Sequence, residues 1–239
     1  RAETDVFPID IGIACEVEHQ GELHPLIERK IRRGTSNFTK EAAMTRQEVL
    51  TAVLTGIDAV RVLKEQEYRL FAVGEMGIGN TTTSSAVASV LLQKEPELVT
   101  GCGAGLDSAG LKRKTEAIRR GIKLHHPDPM DGMEVLQKVG GFDLAAMAGT
   151  FLGGAIYHVP VVIDGVIAAA AAAAAGRIAA EATDYMLAAH VSAEPASIWL
   201  LDLIGVTPAV QAGLRLGEGT GALALFPLLD MALSIYRDM

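Results

Sequence analysis

Leu50, Val53, Leu54, Ile57 and Val60 recur at helical spacing in the stretch TRQEVLTAVLTGIDAVRVLKEQ. That pattern predicts an amphipathic helix with one apolar stripe. Thr45 followed by Glu48 supplies a capping box at its start. The next apolar run, YRLFAV, is too short for a helix and reads as a buried strand. A helix over Thr81–Leu92 follows. Further on, the apolar stretch FDLAAMAGTFLGGAIYH predicts a helix, VPVVIDG a buried strand, and PASIWLLDLIG a short helix. The segment QAGLRLGEGTGALALFPLLDMALSIY reads as a turn or strand feeding an apolar helix that Pro227 kinks. Near the start, DVFPIDIGIA is a strand candidate, and arriving at residue 1 without a preamble it suggests a segment preceding this numbering.

Strand and helix signals alternate along the chain. This argues for an α/β fold with a mostly parallel sheet, read as a single domain over residues 1–239. Eight consecutive alanines, residues 168–175, begin the helix after VPVVIDG, in keeping with the high helix propensity of alanine. Asp164 interrupts the apolar run, and Arg177, Glu181 and Asp184 follow it, so the stretch reads as strand then helix and not as a membrane span.

Composition narrows the functional classes. Hydrophobic residues make up 49% of the 239 residues and aromatic residues only 5%, so the core should be aliphatic and alanine-rich. The net charge of −8 disfavours non-specific nucleic-acid binding, which needs basic clusters to neutralise phosphates. A small anionic substrate remains open, since a few local cations can serve it. The two cysteines, Cys15 and Cys102, lack metal-ligand spacing and point to a reduced, cytoplasmic setting. The sequence shows no signal-peptide pattern.

Three glycine-rich loops carry the candidate chemistry. GEMGIGNTT, residues 74–82, follows the strand YRLFAV and opens a helix. Glycines in such a loop let backbone N–H groups approach an anion, and the helix N-terminus adds its dipole. Gly74 and Gly79 have the P-loop spacing, but Asn80 stands where a nucleoside-triphosphate loop keeps its lysine. The dinucleotide fingerprint fails too, because Thr82 replaces its third glycine. A dehydrogenase is disfavoured accordingly. The loop suits a single phosphate or a sugar phosphate, unless it is only a chain-reversing turn.

The second loop, GCGAGLDSAG, carries Gly101, Gly103 and Gly105, with Lys112, Arg113 and Lys114 in the helix beyond. One of these cations is a candidate phosphate partner; taken alone, the KRK run reads as a solvated helix face. In the third loop, LGEGTGA, Glu218 lies between Gly217 and Gly219 ahead of an apolar helix. A carboxylate in apolar surroundings has a raised pKa, as a general base near neutrality requires; the competing reading is an acid that complements the helix dipole. Asp164 closes a buried strand at the sheet edge where α/β folds place ligands, or caps the next helix. His190 precedes VSAEPAS, in which Ser192 and Glu194 offer polar contacts. His125 and His126, beside Pro127, make a weak metal candidate.

Together GEMGIGNTT, GCGAGLDSAGLKRK, VVIDG, HVSAEP and LGEGTGALALFPLLDMA resemble, in order and spacing, the nicotinate-nucleotide–dimethylbenzimidazole phosphoribosyltransferase family of cobalamin lower-ligand assembly. The resemblance runs from VFPIDIGIA to the C-terminus and implies a three-layer Rossmann-like α/β fold and a cytoplasmic homodimer. It also implies an N-terminal helical segment and a first βα unit ahead of VFPIDIGIA. The implied reaction transfers the phosphoribosyl group of nicotinate mononucleotide to 5,6-dimethylbenzimidazole. The products are α-ribazole 5′-phosphate and nicotinate, without a cofactor or metal and with no nucleic-acid or membrane partner.

Carried over by position, the resemblance makes Glu218 the general base and gives Glu75 a supporting role on the ribosyl transition state. Gly77, Gly103 and Lys114 cradle the 5′-phosphate, assisted by Asn80 and Thr81. Asp164 sits near the ribose, Ser192 near the phosphate, and Met76 and Leu216 line the aromatic-base pocket. Gly74, Gly79, Gly105, Gly217 and Gly219 complete the loop backbones around the substrate. Two alternatives stay open: transfer to a different base, and a non-catalytic nucleotide-binding relative. The retention of both Glu75 and Glu218 argues against the second.

Overall fold

In the computed structural model, residues 4–17, 25–103, 105–214 and 216–239 are described. The elements run, in order, β1 (Ile9–Asp10), β2 (Ile27–Glu28), α1 (Arg46–Glu65), β3 (Phe71–Ala72), α2 (Thr81–Leu92), α3 (Pro96–Val99), α4 (Ser108–His125), α5 (Gly132–Val139) and α6 (Phe142–Tyr157). Then come β4 (Val161–Ile163), α7 (Val166–Ile178), a 3₁₀ turn (Ala180–Tyr185), β5 (Met186–Ala188), α8 (Ser197–Leu203) and α9 (Thr220–Asp238).

The fold is α/β with parallel sheets flanked by helices. The main sheet is parallel in the order β3-β4-β5, with Phe71 opposite Val161 and Val162 opposite Leu187. A parallel bridge between His190 and Val210 adds a further extended segment beside β5. A second parallel pair, β1 with β2, puts Ile9 opposite Ile27. The strand expected over DVFPIDIGIA is thus reduced to two residues, because Asp10 turns the chain by accepting the N–H groups of Gly12 and Ile13.

The capping box at Thr45 forms in both directions: Thr45 Oγ1 accepts the Glu48 N–H and the Glu48 carboxylate accepts the Thr45 N–H. α1 then packs on α6 through two glycines. A Cβ placed on Gly56 would lie 1.9 Å from the Ala146 carbonyl oxygen, and one on Gly149 would lie 2.0 Å from that of Val53. Only residues without side chains allow two backbones so close.

The alanine tract has the same logic. All eight residues, 168–175, are buried in α7, which touches α2, α5, α6 and α8 at once. Small side chains on every face let four neighbours close in on a central helix, so the tract is a core helix and not an amphipathic one. On the opposite face of β4 and β5, Val162 and Ala189 bury against Ala222 and Leu225 of α9. The sheet is therefore covered on both sides, and its carboxyl edge opens towards the loops after β3, β4 and β5. Among the described residues, no helix is long and apolar enough to cross a membrane.

Candidate active site

Each strand of the main sheet delivers one polar group to its carboxyl edge: Glu75 just beyond β3, Asp164 at the end of β4 and His190 beyond β5. The entry to α9 folds onto the same edge. The Asp164 carboxylate, only 3% exposed, accepts the Gly219 N–H at 3.1 Å and the Ala222 N–H at 2.8 Å. An acid at that position satisfies two otherwise unpaired amides and complements the helix dipole. Sequence reading expected Asp164 beside the ribose. In the structure both of its oxygens accept from the backbone around the third glycine loop, closer to the alternative reading of a helix-capping acid. His190, also buried, lies 3.8 Å from Asp164 with its Nε2, and its Nδ1 has no partner among the described residues. Gly221 makes room for it: a Cβ there would come within 2.2 Å of the imidazole.

The first and third glycine loops touch back to back. A Cβ on Gly74 would lie 2.6 Å from the Gly219 nitrogen and 2.8 Å from the Glu218 carbonyl carbon. Gly217, Glu218 and Gly219 are all left-handed, with φ of 80°, 59° and 79°. For glutamate that conformation costs about 1 kcal/mol, and strain of this kind gathers at functional sites. The Glu218 side chain is exposed. This corrects the half-buried glutamate expected from LGEGTGA, because the loop presents its tip outward.

Glu75 is the carboxyl that burial affects. It is half-buried, and desolvation pushes its pKa up; the neighbouring charges of Asp143 and Asp164 push the same way, while hydrogen bonds from the Asn80 carboxamide and the Gly77 N–H oppose the shift. Asn80 does not cap α2 with its side chain. Its Nδ2 donates instead to Glu75 Oε2 at 2.6 Å and to Asp143 Oδ2 at 2.9 Å. The first amides of α2 are left open towards the loop, where Gly77 and Gly79 take φ of 83° and 78°. Exposed N–H groups at a helix start suit a phosphate.

The second loop lies over the start of α2, with Gly103 against the Thr81 hydroxyl. Of the three cations after it, Lys112 and Arg113 are solvated, but Lys114 is only 7% exposed and its Nζ donates to the Gly101 carbonyl at 3.2 Å. Burial lowers the Lys114 pKa, and the nearby Glu194 and Cys102 partly restore it. Glu194 folds its carboxylate onto Gly101, where a Cβ would collide with it. Ser192 is buried, with its N–H donating to the Ser197 hydroxyl. Gly105, at φ 103°, completes the loop before Asp107 caps α4.

Around this polar floor stands an apolar rim: Met76, Ile78 and Leu216 are 72%, 81% and 74% exposed. Met76 and Leu216 were anticipated; Ile78 was not. Sequence reading also passed over Asp143, hidden in the helix signal of GFDLAAMAG, and gave His190 no role. An acid in the first turn after a Gly-Gly pair was the available signal for Asp143. His125 Nε2 lies 2.8 Å from the Phe38 carbonyl oxygen, and His126 ends α4 in a left-handed cap. No group of three or more His, Cys, Asp or Glu among the described residues could hold a metal ion.

The sheet edge, with its three glycine loops and the acids Glu75, Asp164 and Glu218, can be set beside known proteins. The sequence model of a family described as phosphoribosyltransferase matches residues 1–239. The chain belongs to the phosphoribosyltransferase family. Curated relatives named nicotinate-nucleotide–dimethylbenzimidazole phosphoribosyltransferase include those of Clostridium acetobutylicum and Ruminiclostridium cellulolyticum. Each is 45% identical over 239 residues, covering 100% of this chain and 67% of the relative. Among solved structures, CobT from Thermus thermophilus superposes with a TM-score of 0.88 at 39% identity, over 95% of this chain and 67% of that one. This phosphoribosyltransferase chain thus spans about two thirds of the length of the relatives it matches. The family expected from GEMGIGNTT and LGEGTGA is the one found.

Proposed function

We propose that this chain transfers the phosphoribosyl group of nicotinate mononucleotide to 5,6-dimethylbenzimidazole, releasing nicotinate and forming α-ribazole 5′-phosphate. The observation that carries this reading is the back-to-back contact of Gly74 with Gly219. It sets Glu75 and Glu218 on one sheet edge, beside phosphate-type loops that hold a buried lysine.

The 5′-phosphate lies on the amides of Gly79 and Gly103 and the open start of α2 at Thr81, over the turn that Gly77 shapes, with Lys114 as its cation and Ser192 beside it. Gly105 shapes the second loop. The benzimidazole packs on the apolar rim of Met76 and Leu216, with Ile78 added. Its unprotonated nitrogen attacks the anomeric carbon as the bond to the pyridinium nitrogen breaks. The electron pair of that bond neutralises the pyridinium, so nicotinate leaves without needing a proton. Configuration inverts from β to α. Glu218 takes the N–H proton of the benzimidazolium-like product, and its exposure suits a base that must meet a partner arriving from solvent. Glu75 faces the positive charge that develops on the ribosyl group. Asn80 holds Glu75, and Asp164 holds the Gly217–Glu218–Gly219 turn.

Exposed Met231, Ile235 and Tyr236 on α9 support a homodimer, and two free, exposed thiols, Cys15 and Cys102, support a reducing cytoplasmic setting. Incubation with nicotinate mononucleotide and a panel of bases, read by mass spectrometry, tests the reading. Dimethylbenzimidazole should give the α-ribotide and free nicotinate. A ribotide formed only with another base would move the proposal to that base. Nucleotide binding without any product would favour a non-catalytic relative.

A further inference from the structure

Asp143 has no place in the mechanism above, yet it is tied to the centre of the site. It stands in the first turn of α6, half-buried, and its Oδ2 receives an N–H of the Asn80 carboxamide, whose Nδ2 also serves Glu75. One amide thus bridges two carboxylates from different elements. The orientation of that amide is fixed by charge, since the reverse flip would set its oxygen against two carboxylates. The arrangement leaves Asn80 Oδ1 buried and unpartnered among the described residues. An orphaned buried acceptor costs about 1–3 kcal/mol, so the amide serves its two acids at the expense of its own oxygen. Gly141 allows the approach, because a Cβ there would meet Asp143 Oδ1 at 2.5 Å.

We propose that Asp143 is a positioning residue of the transfer site: through Asn80 it fixes the Glu75 carboxylate and adds a second negative charge to the face where the ribosyl group turns cationic. The inference rests on the functional reading above. Charge that is fixed in place before reaction stabilises a transition state without reorganisation. The groups facing Glu75 are the Asn80 amide and Gly77 N–H as donors, Asp143 from α6 and Asp164 from β4 as charges, and the uncharged Gly217 backbone from the α9 entry. Burial makes Glu75 give up its proton late, and the two like charges add to that; removing one should let it ionise earlier.

The test uses Asp143→Asn and Asp143→Glu, with folding checked by circular dichroism. Asp143→Ser serves the same readouts if Asp143→Asn does not fold. ¹³C NMR of labelled glutamate, with the Glu75 signal assigned by its loss in Glu75→Gln, follows the carboxyl titration without ligand. Asp143→Asn should lower the Glu75 midpoint by about half a pH unit or more; Asp143→Glu should leave it in place. In the transfer assay, Asp143→Asn should lower kcat about tenfold and leave the KM for nicotinate mononucleotide within about twofold, with Asp143→Glu recovering part of kcat. An unmoved midpoint, or a loss confined to KM, overturns the proposal. If the unaltered protein makes no ribotide, the functional reading fails by itself, and the NMR midpoint still decides whether Asp143 governs Glu75.

Discussion

Gly74 lies flat against the amide nitrogen of Gly219, so close that a single added carbon would stand 2.6 Å from it. The contact joins the loop that carries Glu75 to the loop that carries Glu218. It also fixes the two acids relative to each other, since neither backbone can slide without meeting the other. Gly74→Ala should push the loops apart by a fraction of an ångström to an ångström. Misplacement on that scale costs about 10²-fold in rate. Transfer kinetics should show kcat falling by that order, with only a modest drop in melting temperature, because the contact is at the edge of the core. A variant within twofold of the parent would mean that the spacing of the two acids does not limit the reaction.

Glu218→Gln keeps the shape and the left-handed turn but removes the base. General-base catalysis contributes about 10²–10⁴-fold. The expected outcome is a kcat lower by that range with the KM for nicotinate mononucleotide nearly unchanged, measured by release of nicotinate. Raising the assay pH should restore part of the rate if solvent hydroxide can replace the missing carboxylate. Full activity in the variant would transfer the base role elsewhere, with Glu75 as the next candidate.

Much of this site was legible in the chain because its chemistry is local. Each glycine loop occupies consecutive residues, and the strand-loop-helix order places it at a sheet edge without further knowledge. The order of α1, β3, α2, α6, β4 and α7 was legible for the same reason, since their apolar patterns are long or sharply bounded. What escaped depends on contacts distant in sequence. Asp143 meets Asn80 across 63 residues, and the Gly-Gly pair before it is a faint mark on what otherwise reads as an ordinary first-turn acid. The strand β5 is three residues long and lies in YMLAAH, where no alternation can develop. The partners of Asp164 were not legible because Gly219 and Ala222 meet it through backbone amides, and backbone amides leave no mark in a sequence. Burial of Lys114 among solvated neighbours depends on helix phase: Lys112 and Arg113 point away while Lys114 turns inward.

Lys114→Ala follows from that inward turn. Losing a charge-assisted contact to phosphate costs about 1.5–3 kcal/mol, so the KM for nicotinate mononucleotide should rise about tenfold or more while kcat changes little. Burial already disfavours the ammonium in the free protein, so the variant should be no less stable than the parent in a thermal melt. A raised KM without loss of stability separates a binding lysine from a structural one. An unchanged KM would return Lys114 to the scaffold.

The alanine helix makes a prediction about packing. Ala171 is completely buried in α7, and the surrounding helices leave no room for a longer side chain. Ala171→Leu should destabilise the protein by about 1–3 kcal/mol through overpacking, visible as a lower urea midpoint. A leucine at an exposed helical site such as Thr51 should be close to neutral. If Ala171→Leu were tolerated equally well, the tract would be loosely packed and its alanines incidental.

Glu75 gives a pH dependence whose sign can be worked out. Its folded pKa lies above the ordinary 4.5, chiefly because burial disfavours the charged form. Above 4.5 the unfolded chain therefore releases this proton first, and the folded chain keeps it until the pH passes the raised value. In that window the folded state binds more protons, so stability falls as pH rises; beyond it the full penalty of burying the carboxylate remains. Glu75→Gln removes the ionisation while keeping an acceptor for the Asn80 amide. The variant should melt a few degrees above the parent at pH 7, and the two curves should converge as the pH drops towards 4. The same variant should be slower in transfer at every pH, since it cannot present a negative charge to the ribosyl cation. Greater stability together with lower activity is the signature expected of an acid held at a cost for catalysis. A parent and variant with parallel melting curves across pH would mean that Glu75 titrates in the folded protein as it does in the unfolded chain.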